Sequence, residues 1–212
     1  MRPGAVIFDM DGVIVDSLPL HYRIWEEIGE LYGFPLDLSL VPQINGLCRE
    51  EVAAFLIKRY GLGADVSEIC SLRDKLAQRY LGNGAPLFSG VRVCLHGLKQ
   101  AGFSIGLGTS NDHNGMMSSL GDIASMFDAL VCASDVAAAK PEPDIYLRCA
   151  DMLRCAPKDC IVVEDSILGI ESAHKGGMKV IALRTTSKDL AGGDLTLDSV
   201  ADIDANTIRR LI

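Results

Sequence analysis

The segment Phe8-Asp9-Met10-Asp11-Gly12 puts two carboxylates two positions apart at the end of an apolar run, Ala5-Val6-Ile7-Phe8. In extended chain, positions i and i+2 face the same way, so Asp9 and Asp11 address one site. Their charges repel there, and a divalent cation would relieve the repulsion, because Mg²⁺ takes oxygen ligands. The competing reading is a solvated strand end closed by the turn-forming pair Asp11-Gly12. Val162-Val163-Glu164-Asp165-Ser166 repeats the pattern of an apolar strand ending in paired acids. Strand ends of a parallel sheet share one edge, so Glu164 and Asp165 can meet Asp9 and Asp11 in a four-carboxylate metal site.

Two further segments fit an anionic substrate. Leu107-Gly108-Thr109-Ser110-Asn111 ends a strand in hydroxyls at the start of a helix. Such residues are ordinary helix caps, and the same hydroxyls and N–H groups also bind phosphate oxygens. In Ala139-Lys140-Pro141-Glu142-Pro143-Asp144 a lysine sits in a turn stiffened by two prolines. A lone loop lysine is usually just solvated, whereas a rigid one suits a fixed cation facing an anionic centre.

The elements that must position these residues are legible as continuous apolar strands, which indicate a sheet covered on both faces. They are Ala5–Phe8, Ser104–Leu107, Ala129–Cys132, Ile161–Val163 and Lys179–Ala182. Stretches of helical spacing lie between them, as in Val91–Ala101 and in Pro143–Leu153, where Pro143 falls where a first turn accepts proline. The alternation predicts an α/β protein with a doubly wound, Rossmann-like parallel sheet. From Leu18 to Leu81 the rhythm breaks into three helices, Pro19–Tyr32, Arg49–Tyr60 and Val66–Leu81. The expected organisation is an α/β core of residues 1–16 and 83–212 with an all-helical cap, 17–82, inserted after the first strand and placed as a lid over the sheet's carboxyl edge. Ala191-Gly192-Gly193 reads as a turn.

Composition bounds the function. The 212 residues, 49% hydrophobic, 23% charged and 6% aromatic, are those of an ordinary globular protein. A formal charge of −8 without any Lys/Arg-rich run argues against a nucleic-acid partner. The seven cysteines, odd in number and mostly inside apolar runs, read as buried free thiols of a reducing compartment. Cys149, Cys155 and Cys160 have a spacing that fits no common zinc pattern. Met1 leads directly into a strand, and no apolar run reaches the ~18 residues of a membrane span, so no membrane role and a cytoplasmic location are expected.

Taken in order, the four segments resemble the haloacid dehalogenase superfamily, in the branch that includes β-phosphoglucomutases and sugar-phosphate phosphatases, over nearly the whole chain. The resemblance implies Asp9 as the nucleophile that takes up a phosphoryl group and Asp11 as general acid and base. It also implies Thr109 as a phosphate ligand beside Ser110 and Asn111, Lys140 as the fixed cation, and Glu164 with Asp165 at Mg²⁺. Two features of the cap are similar to β-phosphoglucomutases: His21 with Trp25, and Gly46-Leu47-Cys48-Arg49-Glu50-Glu51. His21 and Trp25 are helix neighbours at a spacing of four, facing a sugar or packing the cap. Arg49, at a helix start, is not placed for the helix dipole and is well placed for a second phosphate, the role the resemblance implies. Cys48 stands where the mutase pattern commonly has Ser, and Asp16-Ser17 where a Thr can follow the first acid.

The expected activity is a Mg²⁺-dependent phosphatase or phosphotransferase of small phosphorylated metabolites, sugar phosphates first, acting as a monomer or weak homodimer. The alternative is a β-phosphoglucomutase interconverting glucose 1-phosphate and glucose 6-phosphate. A metal-independent dehalogenase would not need Asp11, Glu164 and Asp165. A phospho-receiver module would be shorter, with its nucleophile on a middle strand and no helical insert.

Overall fold

Along strand β1 (Ala5–Phe8) side chains alternate between two apolar layers, and that alternation organises the core. Val6 and Phe8 enter one cluster with Val91, Leu95 and Leu98 of helix α4 (Val91–Gln100) and Ile208 of α8 (Ala205–Leu211). Ala5 and Ile7 enter the other, with Ile145, Tyr146 and Cys149 of α6 (Asp144–Met152) and Ile170 and Ala173 of α7 (Ile167–Lys175). A strand buried on both faces must be apolar at every position, which is why β1 reads as an unbroken run. These relations come from a computed structural model that describes residues 4–37, 40, 44, 47–81 and 84–212. Gly46 and the expected cap boundary at 82/83 lie outside the described residues.

The sheet has six strands in the order β3-β2-β1-β4-β5-β6, all parallel. The others are β2 (Ser104–Gly108), β3 (Ala129–Val131), β4 (Cys160–Glu164), β5 (Lys179–Leu183) and β6 (Leu195–Leu197). Five follow the sequence reading within a residue or so. β6 was not expected: it is three half-buried residues after Gly192-Gly193, too short to show a periodicity. The Ala191-Gly192-Gly193 turn leads into it, with Gly192 at φ 103°. Pro143 lies one residue earlier than expected, as the cap of α6 and not inside it.

Between β1 and α4 the chain forms α1 (Leu18–Tyr32), α2 (Arg49–Tyr60) and α3 (Val66–Leu81). They close on their own apolar cluster, centred on Ile24, Trp25, Ile28, Val52, Leu56 and Ile69. The two chain crossings that join this helical unit to the sheet lie side by side. Asp16 donates its N–H to Pro86 O at 2.7 Å and Phe88 to Ile14 O at 3.1 Å, with Val15 bridged antiparallel to Leu87. Among the described residues no helix is long and apolar enough to cross a membrane. The seven cysteines are free thiols, five of them buried.

Leu95 is fully buried against the sheet, while Val93, two positions earlier on α4, is 79% exposed. Leu95→Ala is expected to lower the unfolding free energy by about 2–5 kcal/mol in a urea titration. Val93→Ala should change it by less than about 0.5 kcal/mol. Equal effects would contradict the assignment of the buried face.

Candidate active site

At the carboxyl edge of the sheet, where the strand order turns from β1 to β4, the helical unit and the sheet enclose a cavity of about 380 Å³. Asp9 is the first residue beyond β1, and its N–H donates to Val163 O at 2.9 Å, extending the ladder by one bond. Lys140 donates to Asp9 Oδ1 at 2.5 Å and to Glu164 Oε1 at 2.7 Å, with its Nζ 4.8 Å from the centre of the Tyr146 ring. At 4% exposure, Lys140 is a buried cation shared by two buried carboxylates.

Glu164 spends both oxygens. Oε1 accepts from Lys140 and from Tyr146 OH at 2.7 Å, and Oε2 accepts from the N–H groups of Asp165 and Ser166, each at 2.8 Å, and from Ser166 Oγ at 2.9 Å. It therefore braces the turn from β4 into α7. Gly169 lies against its carboxylate so closely that a Cβ there would overlap it. Asp165, next in sequence, is 3% exposed, and its Oδ2 has no hydrogen-bond partner among the described residues. Gly12, at φ 79°, passes so near that Oδ2 that any side chain would collide with it. The Asp-Gly turn is thus real, and it serves the site.

Three buried carboxylates, Asp9, Glu164 and Asp165, face one ammonium, and the electrostatics record the imbalance. Burial, against the pull of Lys140 and helped by Glu164 and Asp11, pushes the Asp9 carboxyl up to about 8. Burial together with the charges of Glu164 and Asp9 raises Asp165 well above the carboxylate range. Burial opposes the charge on Lys140, yet Asp9 and Glu164 hold its ammonium above its ordinary range. A divalent cation beside Asp9 and the unpartnered Asp165 oxygen would correct this deficit, so the residues present fit Mg²⁺.

Asp11 is held from both sides of the cavity. Ser17 and His21 Nε2, the latter at 3.3 Å, contact its Oδ1, and Asn111 Nδ2 donates to its Oδ2 at 2.6 Å. Burial works against its charge, but hydrogen bonds from His21 and Ser17, with Arg73 nearby, keep the carboxyl below its usual range. Arg73 Nη2 lies 3.2 Å from His21 Nδ1. A guanidinium can only donate, so Nδ1 accepts and the ring proton sits on Nε2, directed at Asp11.

Asp9, Asp11, His21, Trp25, Arg49, Thr109, Ser110, Asn111, Lys140, Glu164 and Asp165 all border this one cavity. Several also make contacts within the protein. Asn111 steadies Asp11, and its N–H donates to Thr109 Oγ1 at 3.2 Å. The cap of α5 (His113–Leu120) is Asp112, which accepts from Gly115 N at 2.8 Å, so Thr109 and Ser110 are not consumed as caps. Trp25 is 5% exposed and packs the helical unit's own cluster while showing an edge to the cavity. Of the four carboxylates, Asp9, Asp11 and Glu164 each accept from the donors just named, while Asp165 Oδ2 does not. Among the described residues, no three His, Cys, Asp or Glu side chains gather in a metal-binding group. The sequence reading missed Arg73, Asp112 and Tyr22, whose phenol is pushed up to about 12 by burial and the charge of Asp165.

Residues 6–183 match the family described as haloacid dehalogenase-like hydrolase. The chain belongs to this family. It is accordingly an enzyme, and among relatives of the haloacid dehalogenase-like hydrolases it is similar to both phosphatases and phosphomutases. It is 30% identical over 206 residues to the β-phosphoglucomutase of Bacillus subtilis, covering 94% of this chain and 91% of that one. It is 29% identical over 187 residues to the fructose-1-phosphate phosphatase of Escherichia coli, covering 86% and 97%. The structure is similar to that of a β-phosphoglucomutase from Clostridium difficile, with a TM-score of 0.85 at 25% identity, over 99% of this chain and 96% of that one.

Removing the shared ammonium leaves Asp9 and Glu164 buried without a counter-charge. Lys140→Met is expected to lower the unfolding free energy at neutral pH by about 3–5 kcal/mol. Urea denaturation checks this, and a loss below about 1 kcal/mol would contradict the pairing.

Proposed function

We propose that this chain is a Mg²⁺-dependent phosphatase of small sugar phosphates, cytoplasmic and monomeric or weakly dimeric, which passes the phosphoryl group through Asp9. The observation that carries this reading is the meeting, in one cavity, of Asp9 tied to Lys140 at 2.5 Å and Asp165 with an unpartnered inner oxygen. Asp9 and Asp165 are the residues that would hold the metal. When bound, Mg²⁺ supplies positive charge that lets a carboxylate approach a phosphate dianion.

The remaining steps belong to the chain's own groups. Asp9 attacks phosphorus in line and forms an aspartyl phosphate, which divides one hard displacement into two easier ones. Lys140 faces the phosphoryl oxygens as a fixed cation, and the hydroxyls and N–H groups at Thr109 and Ser110 orient the group for attack. Asp11 gives a proton to the departing sugar oxygen and takes one from the incoming water, help worth about 10²–10⁴-fold. A carboxyl held low by His21 and Ser17 suits the second of these roles as it stands. The first requires it to gain a proton as those donors shift.

A second reading, phosphoryl exchange between glucose 1-phosphate and glucose 6-phosphate, is supported by the similarity to the Bacillus mutase. Incubation with Mg²⁺, β-glucose 1-phosphate and a trace of the bisphosphate separates the two. The proposal expects free phosphate without glucose 6-phosphate, and glucose 6-phosphate without matching phosphate would favour the mutase.

Asp9→Asn should abolish phosphate release while leaving the circular dichroism spectrum intact; near wild-type turnover would remove Asp9 as nucleophile. Asp165→Asn is expected to weaken Mg²⁺ binding by at least about tenfold, read by calorimetry without substrate. Unchanged affinity would remove Asp165 from the metal site.

A further inference from the structure

Arg49 opens α2 on the helical side of the cavity, where a second phosphate on the substrate would require a cation with free donors. The structure gives it three carboxylates. Its Nε donates to Glu50 Oε1 at 2.7 Å, and Nη1 donates to Asp74 Oδ1 and Oδ2 at 3.1 and 2.9 Å and to Asp112 Oδ2 at 3.0 Å. Arg73 contributes a second guanidinium, 3.4 Å from Asp74. This wall therefore sets three negative charges against two positive ones. Asp112 is fixed in place by the turn it caps, so its charge cannot swing away when a ligand enters. The unpartnered, 3%-exposed Asp165 lines the same cavity and marks it as a ligand site.

We infer that this wall selects phosphomonoesters whose remainder is an uncharged polyol and discriminates against sugar bisphosphates, with Glu50, Asp74 and Asp112 as the specificity determinants around Arg49. The inference rests on the phosphatase reading above and deepens it. A sugar monophosphate with its phosphoryl group at Asp9 presents hydroxyls to the wall, and Glu50 and Asp112, which both line the cavity, accept from them. A bisphosphate instead brings a second dianion up to three carboxylates that already engage Nε and Nη1 of Arg49, which leaves only Nη2 to face it. The side chains of Glu50, Asp74 and Asp112 are 52, 44 and 44% exposed. Solvent screening therefore limits the effect to roughly ten- to a hundredfold and does not make it absolute. A mutase cycle passes through a sugar bisphosphate, so the same wall opposes that chemistry.

The test compares affinities in Asp9→Asn protein, which cannot turn over, with Mg²⁺ present. Calorimetry is run on fructose 1-phosphate against fructose 1,6-bisphosphate and on glucose 1-phosphate against glucose 1,6-bisphosphate, while wild-type protein is assayed for phosphate release from the same four compounds. The monophosphate of at least one pair should bind at least about tenfold more tightly than its bisphosphate. Adding Asp74→Asn and Asp112→Asn, which keep the side-chain size and the α5 cap, should shift that ratio toward the bisphosphate by about tenfold; Asp74→Asn alone, on an exposed helix face, should move it part of the way. A bisphosphate bound as tightly as its monophosphate, or a ratio that stays within twofold in the double variant, overturns the selectivity while phosphate release leaves the phosphatase reading standing. No phosphate release together with no binding of any of the four overturns both.

Discussion

The ammonium of Lys140 between Asp9 and Glu164 is the contact on which the rest of the sheet's side of the cavity depends. A buried carboxylate on each side would be untenable without it, since breaking such a pair leaves an uncompensated charge in a dry interior. Its two partners sit at the ends of different strands, Asp9 just beyond β1 and Glu164 closing β4, and these strands are neighbours in the sheet, so one cation ties the ends of the central pair together. Tyr146 closes the arrangement from α6, and Ser166 with the backbone of the β4–α7 turn fixes Glu164. Asp9 is left with its direction set but its charge only partly compensated.

That incomplete compensation sets this cluster apart from a closed structural ion pair. Both oxygens of Glu164 and of Asp11 accept from protein donors. Asp165 differs: it is buried beside Gly12, with an oxygen that no protein donor among the described residues meets. Residue type and spacing treat the four acids alike, and only the family resemblance implies separate roles for them. The division of labour among them comes from which donors the tertiary fold delivers to each.

Much of the frame was legible because it depends on local or repeating signals. β1 and β4 are buried on both faces and so read as unbroken apolar runs ending in acids, and α2 and α3 carry the spacing of their own cluster. β6 offered no such signal in three half-buried residues. Lys140 was visible through its prolines, but its second partner, Glu164, was not, because the pairing is a matter of sheet order. Arg73 was illegible for a plainer reason. It sits in α3 beside Asp74 and Lys75, where a run of charges reads as a solvated face, and its meeting with His21 spans 52 positions. Asp112 was hidden behind Thr109 and Ser110, which are equally good capping residues; only the start of α5 at His113 decides between them.

The paired crossings at Ile14–Asp16 and Pro86–Phe88 give the sheet a particular relation to the helices above it. Seen from the sheet, the whole helical unit is a loop whose ends are already fastened. Closing a flexible loop costs only about 0.6 kcal/mol more for each doubling of its length, so insertions or exchanges beyond the fastening weigh little on the strands below. The half of the cavity built by the helices can therefore drift in sequence and size, while the half built on the strand ends stays as the sheet requires. A single scaffold can in this way diversify in what it recognises without renegotiating how it reacts.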